Sequence, residues 1–547
     1  MPFSSASKFL DVSPTSIVAP YDEVTVVSQR SLNALLKKAF DETPALHKVS
    51  FKAPPAGEDD DDFSGCKVIF DAPKVELQIS TENRIAVLLL NIKGGSLQYL
   101  KVSGRQVSEE TANVPAFTIA LDVNLVVQQV PFTSLPGNIR TRFASSKDLT
   151  ISKTFIDLKV ASFARLRKSL TTLYGVVQDL TQTTMLTTYL EQYLKLLADN
   201  EKKFVFNYFA TAPSSTAARA VYPLLSVTPT GNAVLQNLPA NNSTEHTKTG
   251  EESLLAFLEM TEDGVMPRTQ LPTADSNWAA GIDTRVENPV VVISKSKFLE
   301  KSIISKLTDI NKRSTWIIDK AIVEATIAPP EVNYALAGHL GWQDAKESDL
   351  AWVPMSFENV PVDARVKVGG TGAWYHFKHA DYRTSQSKMI YEVSQRATTE
   401  NFIFVPEGIR AAGKTQIFVF GSTLVDFNTR RDFSSSSGWA RNQWSTQIIF
   451  DSSKPEEPIT VTTEDTVCGK TTMQTDDDEF GAKIIAPAKE QLERFEFSLR
   501  DLGTRLRRAL QADWPFFIPV RGGPYYVDRA FFGKGLDFIC EMKPHDA

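Results

Sequence analysis

Between Phe117 and Val127 every second residue is apolar: Phe117, Ile119, Leu121, Val123, Leu125 and Val127. Period-two alternation marks a strand with one buried face. At ~3.3 Å per residue, these eleven positions would span over ~30 Å. Ordinary strands run to about five or six residues. A strand this long belongs to a large, strongly curved sheet rather than a compact sandwich.

Further on the period changes. Phe163, Leu166, Leu170, Leu173, Val177 and Leu180 recur at three and four residues, which predicts an amphipathic helix. The register shifts near Thr181–Thr184 and resumes at Leu186, Leu190, Tyr193 and Leu197. One long bent helix or two abutting ones fit equally. Near the start, Val24, Val26 and Val27 form a short strand ending at Ser28, and Leu32, Leu35, Leu36, Ala39 and Phe40 follow at helical spacing. Ser28 is placed to cap that helix.

The same opening returns at Pro289–Ile293, followed by Ser294 and then Phe298, Leu299, Ile303, Leu307 and Ile310. The two serines lie 294 − 28 = 266 residues apart, close to half of 547. A strand-rich stretch then covers roughly 315–463, and Leu492 to Leu510 carries another helical stripe. Arg505, Arg507 and Arg508 crowd the end of that helix, where cations suit its dipole. Final strands are expected at 516–520, 525–527 and 536–542. Each half thus reads strand, serine, short helix, strand meander, long helix, closing strands. The expected division is an arm over 1–20, a first unit over 21–285 and a second over 286–547, all α+β.

Composition narrows the function. The chain is 42% hydrophobic and 23% charged with a net charge of −6, so it should fold and is a poor match to phosphate backbones; no nucleic-acid partner is expected. Cys66, Cys468 and Cys540 are scattered, which gives neither a disulfide framework nor a zinc module. The first twenty residues lack a signal-peptide pattern, and no apolar run approaches the ~20 residues of a membrane span. A soluble cytoplasmic protein is expected, with peripheral membrane contact and unconventional secretion both open to it.

Three segments carry a family resemblance: Tyr21-Asp22-Glu23-Val24-Thr25-Val26-Val27 leading to Leu32-Asn33-Ala34-Leu35; Val292-Ile293-Ser294 followed by Phe298-Leu299; and Phe517-Ile518-Pro519-Val520-Arg521-Gly522-Gly523-Pro524-Tyr525-Tyr526 with Gly535-Leu536-Asp537 beyond. They resemble the clostridial OrfX and forty-seven-kilodalton accessory proteins of toxin clusters, within the tubular lipid-binding (TULIP) superfamily. That family's Gly-Trp before the first Asp is absent, and Arg521 interrupts its Pro-Gly-Gly. The resemblance implies two TULIP-like units, each a long curved antiparallel sheet wrapped on a long amphipathic helix. It also implies lipid or apolar-ligand binding and supplies no catalytic residues.

Motifs with chemistry are few. Gly408 to Thr415 matches GxxxxGK[ST], but Gln416-Ile417-Phe418-Val419-Phe420 reads as a strand where a P-loop needs a helix. A hairpin with an exposed Lys414 is expected, and Asp426 is a poor magnesium ligand. His376 and His379 would share a face only on a helix, and the glycines at 369, 370 and 372 favour an edge or strand. His339 is the best isolated catalytic histidine, with a structural role the plainer reading. Ser434–Gly438 is expected to be a flexible loop, with Trp439 and Trp444 after it as core. The acidic runs 58–62 and 476–479 are expected to be solvated loops. Asn241 and Asn242 occupy sequons that matter only in a secreted protein.

The expected site is therefore a groove between sheet and helix. Its walls are Phe117, Ile119, Leu121, Val123 and Leu125 on the strand and Phe163, Leu166, Leu170, Leu173 and Val177 on the helix. Side chains could fill it as a core, or the layers could stand apart as a tube. No cofactor, metal or catalytic residue is expected. The expected partner is a lipid or hydrophobic small molecule, with a protein partner, or a cyclase-type reaction on a greasy substrate, as alternatives.

Overall fold

The computed structural model describes residues 16–52, 65–77, 85–135, 140, 150–159, 161–200, 204–211, 225–226, 232–236, 253–261, 289–326, 332–368, 371–387, 391–408, 414–431, 434–453, 459–464, 467–476, 480–513, 525–533 and 535–544. The acidic run 58–62, the sequons and the strand expected at 516–520 lie outside them. Two compact units emerge. One comprises Pro20–Val292, Phe516–Val527 and Cys540–Ala547; the other comprises Met1–Ala19, Ile293–Pro515 and Asp528–Ile539. The fold is α+β and rich in strand.

In chain order the elements begin with β1 (Glu23–Ser28), α1 (Gln29–Asp41), β2 (Lys48–Lys52), β3 (Gly65–Phe70), β4 (Lys74–Leu77), β5 (Ile85–Ser103) and β6 (Gln106–Val114). They continue with β7 (Phe117–Val130), β8 (Thr150–Asp157), α2 (Leu173–Val176), α3 (Leu180–Asp199), β9 (Val205–Thr211), β10 (Leu225–Ser226), β11 (Asn232–Gln236) and β12 (Ser253–Thr261). After β13 (Val290–Ile293) come α4 (Thr308–Ser314), β14 (Trp316–Ala325), β15 (Val332–Leu340), β16 (Val353–Met355), α5 (Val362–Val368), β17 (Gly372–Ser387) and β18 (Tyr391–Pro406). The last are β19 (Lys414–Arg431), β20 (Ser434–Asp451), β21 (Thr460–Thr463), β22 (Val467–Cys468), β23 (Thr472–Thr475), α6 (Phe480–Asp513), β24 (Tyr525–Phe532) and β25 (Phe538–Pro544).

One eight-stranded sheet has the order β2-β3-β5-β7-β8-β9, with β4 and β6 also paired to β5. Another has the order β16-β17-β18-β19-β20-β21, with β22 and β23 on β20. A seven-stranded sheet runs β10-β12-β1-β13-β25-β24, with β11 on β12, and β14 and β15 pair by themselves. Every residue of β1 and β13 is buried; β13 is apolar throughout, as a strand covered on both faces usually is, whereas β1 also buries Glu23, Thr25 and Ser28.

The long strand is real. β7 runs fourteen residues, and β5 reaches nineteen. β5 changes partners along its length: Ile85–Ile92 pair with β7, and Gly95–Ser103 pair with β6. The change falls at Gly94-Gly95. Gly94 has φ 147°, a conformation open mainly to glycine. A Cβ on Gly95 would stand 2.0 Å from Lys67 O of the neighbouring strand. These glycines let one strand bend while both ladders stay closed.

Ser28 caps α1 as expected, its Oγ accepting from Ser31 N at 3.1 Å. Two further α1 side chains, four residues apart, finish the edge of β4: Gln29 Oε1 accepts from Leu77 N and Asn33 Oδ1 from Val75 N, both at 2.7 Å. The second opening differs inside its helix. Ser296–Ile303 is a π-helix and Ile304–Leu307 a 3-10 turn before α4. Even so, Phe298, Leu299, Ile303, Leu307 and Ile310 are all buried.

Two expectations are corrected. Residues 163–180 are not one helix. Phe163–Arg165 form a 3-10 turn, α2 is four residues long, and α3 starts only at Leu180. Between them the chain finishes the open edge of β7: Arg167 N donates to Ala120 O and Thr172 N to Thr118 O, while Thr171 and Thr172 hydroxyls accept from Ala120 N and Thr118 N. Unpaired buried backbone costs more than helical spacing returns. Ser434–Gly438 is not a loop either; it opens β20 in register with β19. Asp476 accepts from Ser437 N and from the Ser436 and Ser437 hydroxyls, so this acidic residue anchors the serine run. α6 also begins twelve residues before Leu492, running through Pro487.

Replacing Gly95 by Ala should lower unfolding stability by about 1–3 kcal/mol, the usual cost of forcing atoms into a packed site. Urea denaturation read by circular dichroism checks it; an unchanged midpoint would show that β5 tolerates a side chain there.

Candidate functional site

The walls read from sequence converge on one apolar core. Phe117, Ile119, Leu121, Val123, Leu173 and Val177 belong to it, and Phe163 and Leu166 pack against it. Leu170 is half-buried. The side chain of Leu125 lies outside the described residues. Alternation in the 165–167 stretch explains the arrangement: Leu166 turns to the core, while Arg165 Nη2 donates to Asn124 Oδ1 (3.0 Å) and Arg167 pairs with Asp122 (2.9 Å).

α3 supplies the helical side of this core. Leu186, Tyr189, Leu190, Tyr193, Leu194 and Leu197 are all buried. Tyr193 stacks on Phe70 with ring centroids 3.6 Å apart, and Tyr189 faces Phe51 at 6.2 Å. Burial pushes the Tyr193 phenol well above its usual range. Asp179 caps the helix by accepting from Gln182 N at 2.9 Å. The helical stripe through Leu186, Leu190, Tyr193 and Leu197 is legible in the sequence, but the walls expected from it stop at Val177, so Leu190 and Tyr193 carry no wall role there and Tyr189 is missed altogether.

Along this core Leu36, Pro73, Leu88, Ile156, Leu158, Leu197 and Phe204 enclose a cavity of about 10 Å³. All seven linings are apolar. The volume suits one water-sized body, whereas a ligand pocket measures roughly 300–1,000 Å³.

The competing motifs fall to geometry. After Gly408 (φ 77°) residues 409–413 lie outside the described ones, and Lys414 opens β19 rather than a helix. Lys414 Nζ meets Asp451 Oδ2 across the ladder at 3.0 Å. Asp426 lies in the middle of β19, opposite Arg396 on one side and Trp439 on the other, and burial raises its carboxyl above the usual range. His376 and His379 point to opposite faces of β17, His376 stacked on Phe402 (4.8 Å) and His379 tilted against Trp342 (4.3 Å). His339 Nδ1 bonds Asp319 Oδ2 at 2.8 Å, both half-exposed, where Asp319 sits at a register shift in β14. Burial drives the Cys66 thiol up to about 12, and burial beside Glu23 and Glu541 raises Cys540 well above its usual range, so both stay protonated at neutral pH. Among the described residues no three His, Cys, Asp or Glu side chains cluster for a metal, and no helix is long and apolar enough to cross a membrane.

No family model matches the chain, and no curated protein matches it. Among solved structures it is similar to P47 of Clostridium botulinum E1, with TM-score 0.36, 12% identity, and 96% of this chain and 99% of that one covered. It is also similar to P47 from Clostridium botulinum A2, with TM-score 0.36, 11% identity and coverage of 95% and 96%. A third is a lipopolysaccharide binding protein, with TM-score 0.31, 9% identity and coverage of 96% and 100%. These neighbours match the kinds of protein named by the sequence resemblance, and TM-scores this low carry no argument about function.

His376 and His379 both titrate below the ordinary 6.5, chiefly because burial disfavours the imidazolium. Between the folded value and 6.5 the unfolded chain therefore binds more protons, so stability is full above 6.5 and falls as pH drops through the folded value. Melting temperature should decline between about pH 7 and about pH 5, and the variant with His376→Gln and His379→Gln should decline less. Parallel slopes in a pH series of thermal melts would refute this.

Proposed function

We propose that this chain binds a lipid or other apolar ligand, without catalysis, through two TULIP-like units, and that the ligand enters the first between α3 and the sheet. One observation supports the reading: the α3 interface ends in a cavity whose seven lining residues are all apolar. At about 10 Å³ the cavity has room for no more than a water-sized body. A ligand has to push α3 away from β2, β3 and β5 and replace contacts such as the Tyr193–Phe70 stack. Burial of acyl or terpenoid chain at about 25 cal/mol per Å² is the driving force. A neutral, flexible tail suits this path, since the cavity offers nothing to pair with a charge.

Native mass spectrometry of the purified chain should show a co-purified apolar mass, and titration with a fluorescent fatty acid should saturate. Leu197→Ala should enlarge the cavity, cost about 2–5 kcal/mol of stability and strengthen uptake of the probe. A ligand-free mass together with no probe binding by either protein would end this reading.

A second reading, an accessory protein acting through surface contacts with another protein, is favoured by the β5–β6 hairpin. Leu100, Val102 and Val107 are 49%, 69% and 62% exposed and share one hairpin face through the pairs Leu100↔Glu109 and Val102↔Val107. The opposite face carries the Lys101–Glu110 ion pair (3.5 Å) and buried Tyr99. Val102→Lys with Val107→Lys should leave the melting temperature within about 1 °C, since surface changes are usually small, while abolishing any stable complex seen by size-exclusion chromatography. Complexes that survive the change would count against the hairpin.

A further inference from the structure

One row of four side chains crosses the outer face of the β17–β20 sheet. Across the ladders Tyr382 stands opposite Arg396, Arg396 opposite Asp426, and Asp426 opposite Trp439. Directly paired residues share a face of the sheet, so the four look the same way. Their neighbours in sequence, Ala397, Val425, Phe427 and Ala440, look the other way, into the core with Ile485, Ala488 and Leu492 of α6. Trp444 belongs to that buried side, at 2% exposure. Trp439 lies five residues earlier in the unbroken register of β20, so the same alternation turns it outward, although the sequence predicts core for both. Tyr382 is 60% exposed, Arg396 is exposed, and Asp426 and Trp439 are half-buried.

The charges at the centre of this row stay open. On the same sheet Lys378 and Glu400 stand opposite each other and close at 2.5 Å, and Lys414 and Asp451 close at 3.0 Å. Arg396 and Asp426 are opposed in the same way, yet neither makes a hydrogen bond or a close ion pair among the described residues. Glu392 and Arg430, four residues along the same two strands, stand open likewise. Burial raises the Asp426 carboxyl, with Arg396 pulling the other way. A half-buried carboxylate without a donor is a strong acceptor for a ligand that brings one. Aromatic rings bound the row at both ends. Three ladder spacings of ~4.8 Å set Tyr382 and Trp439 roughly 14 Å apart.

A ligand for this row has to be neutral overall, since one cation faces one anion. It has to donate to Asp426 and accept from Arg396 at neighbouring positions. It has to offer aliphatic C–H groups to the negative faces of two rings. It also has to reach across the sheet. Vicinal hydroxyls on a sugar ring meet the second demand, the C–H faces of such rings meet the third, and two or three linked sugars meet the fourth. A protein partner suits the row poorly, because interface cores are depleted of charge, and a nucleic acid needs a basic surplus. We propose that Tyr382, Arg396, Asp426 and Trp439 form a binding site for a neutral oligosaccharide, with sugar rings stacked on Trp439 and Tyr382 and a pair of vicinal hydroxyls held between Arg396 and Asp426. Glu392 and Arg430 offer a second such pair to a longer or branched chain. The site lies on the sheet face opposite α6 and is independent of the apolar cavity beside α3.

Screening the full chain on a glycan array, with the hits titrated by isothermal calorimetry, tests this. Neutral oligosaccharides of two or more sugars should bind. Trp439→Ala and Asp426→Asn should each weaken the best hit at least about tenfold, the scale of one lost aromatic or charge-assisted contact, and Trp439→Phe should recover part of the loss. The variants should melt close to the parent, since the changed side chains face away from the core. Asp426→Asn keeps the shape of its side chain and decides the matter should Trp439→Ala unfold. Saturating fluorescent fatty acid should leave glycan binding unchanged, so failure of one reading leaves the other standing. No array hit, hits that keep full affinity in Trp439→Ala and Asp426→Asn, or binding confined to acidic glycans or to phosphatidylcholine vesicles would each overturn the proposal.

Discussion

The rule that buried backbone polar groups must find partners governs this molecule more than any single apolar contact. Its strands are too long, and change partners too often, for ladders alone to close every edge. Side chains complete the pairing. Gln29 and Asn33 finish β4, and Thr171 and Thr172 finish β7. Thr399 and Thr423 both donate to Ser314 O at the end of α4. Each case joins an element to a sheet at a defined place, so packing follows from where the unpaired N–H and C=O groups lie. The apolar faces then supply driving force without needing to specify the join.

This division of labour shows how far the sequence could be read. Strands with one buried face announce themselves by alternation, and Phe117–Val123 did so because β7 puts those four residues into one core. The helix from Leu186 to Leu197 was equally plain. Residues 163–180 were not, because their three-and-four spacing arises from an extended stretch and two short turns that happen to bury Leu166, Leu173 and Val177. The informative signal there was polar: Arg165 and Arg167 at alternate positions, then two threonines beside an open edge. Such a signal has meaning only once the edge of β7 is known. The four serines of 434–437 misled for a similar reason. Their strand character comes from pairing with β19 and from Asp476, which is distant in sequence.

For the candidate site, the sequence named residues that do assemble, but it could not say whether their surfaces stand apart. Interiors are dense, and here aromatic residues of α3 occupy the space that a tube would need. Tyr189 and Tyr193 fit a helical stripe no better than a leucine would, so their reach to Phe51 and Phe70 is invisible in one dimension. The P-loop look-alike and the histidine pair show the converse. Their spacing was suggestive, and strand geometry alone removed both.

One device bears on how this protein can go wrong. The edge of β14 that faces β17 is closed by side chains: Asp381 Oδ2 accepts from Ile318 N at 2.9 Å, Arg383 Nη1 donates to Asp319 O at 2.9 Å, and Ser385 Oγ lies 3.5 Å from Val323 N. These three residues alternate along β17, each standing in for one rung of a missing strand. A guard made of three removable groups is discontinuous. Its loss would leave the rest of the sheet folded yet turn one border into a template on which a foreign ribbon could grow. For this part of the molecule the hazard of mutation or chemical damage is unwanted polymerisation rather than collapse.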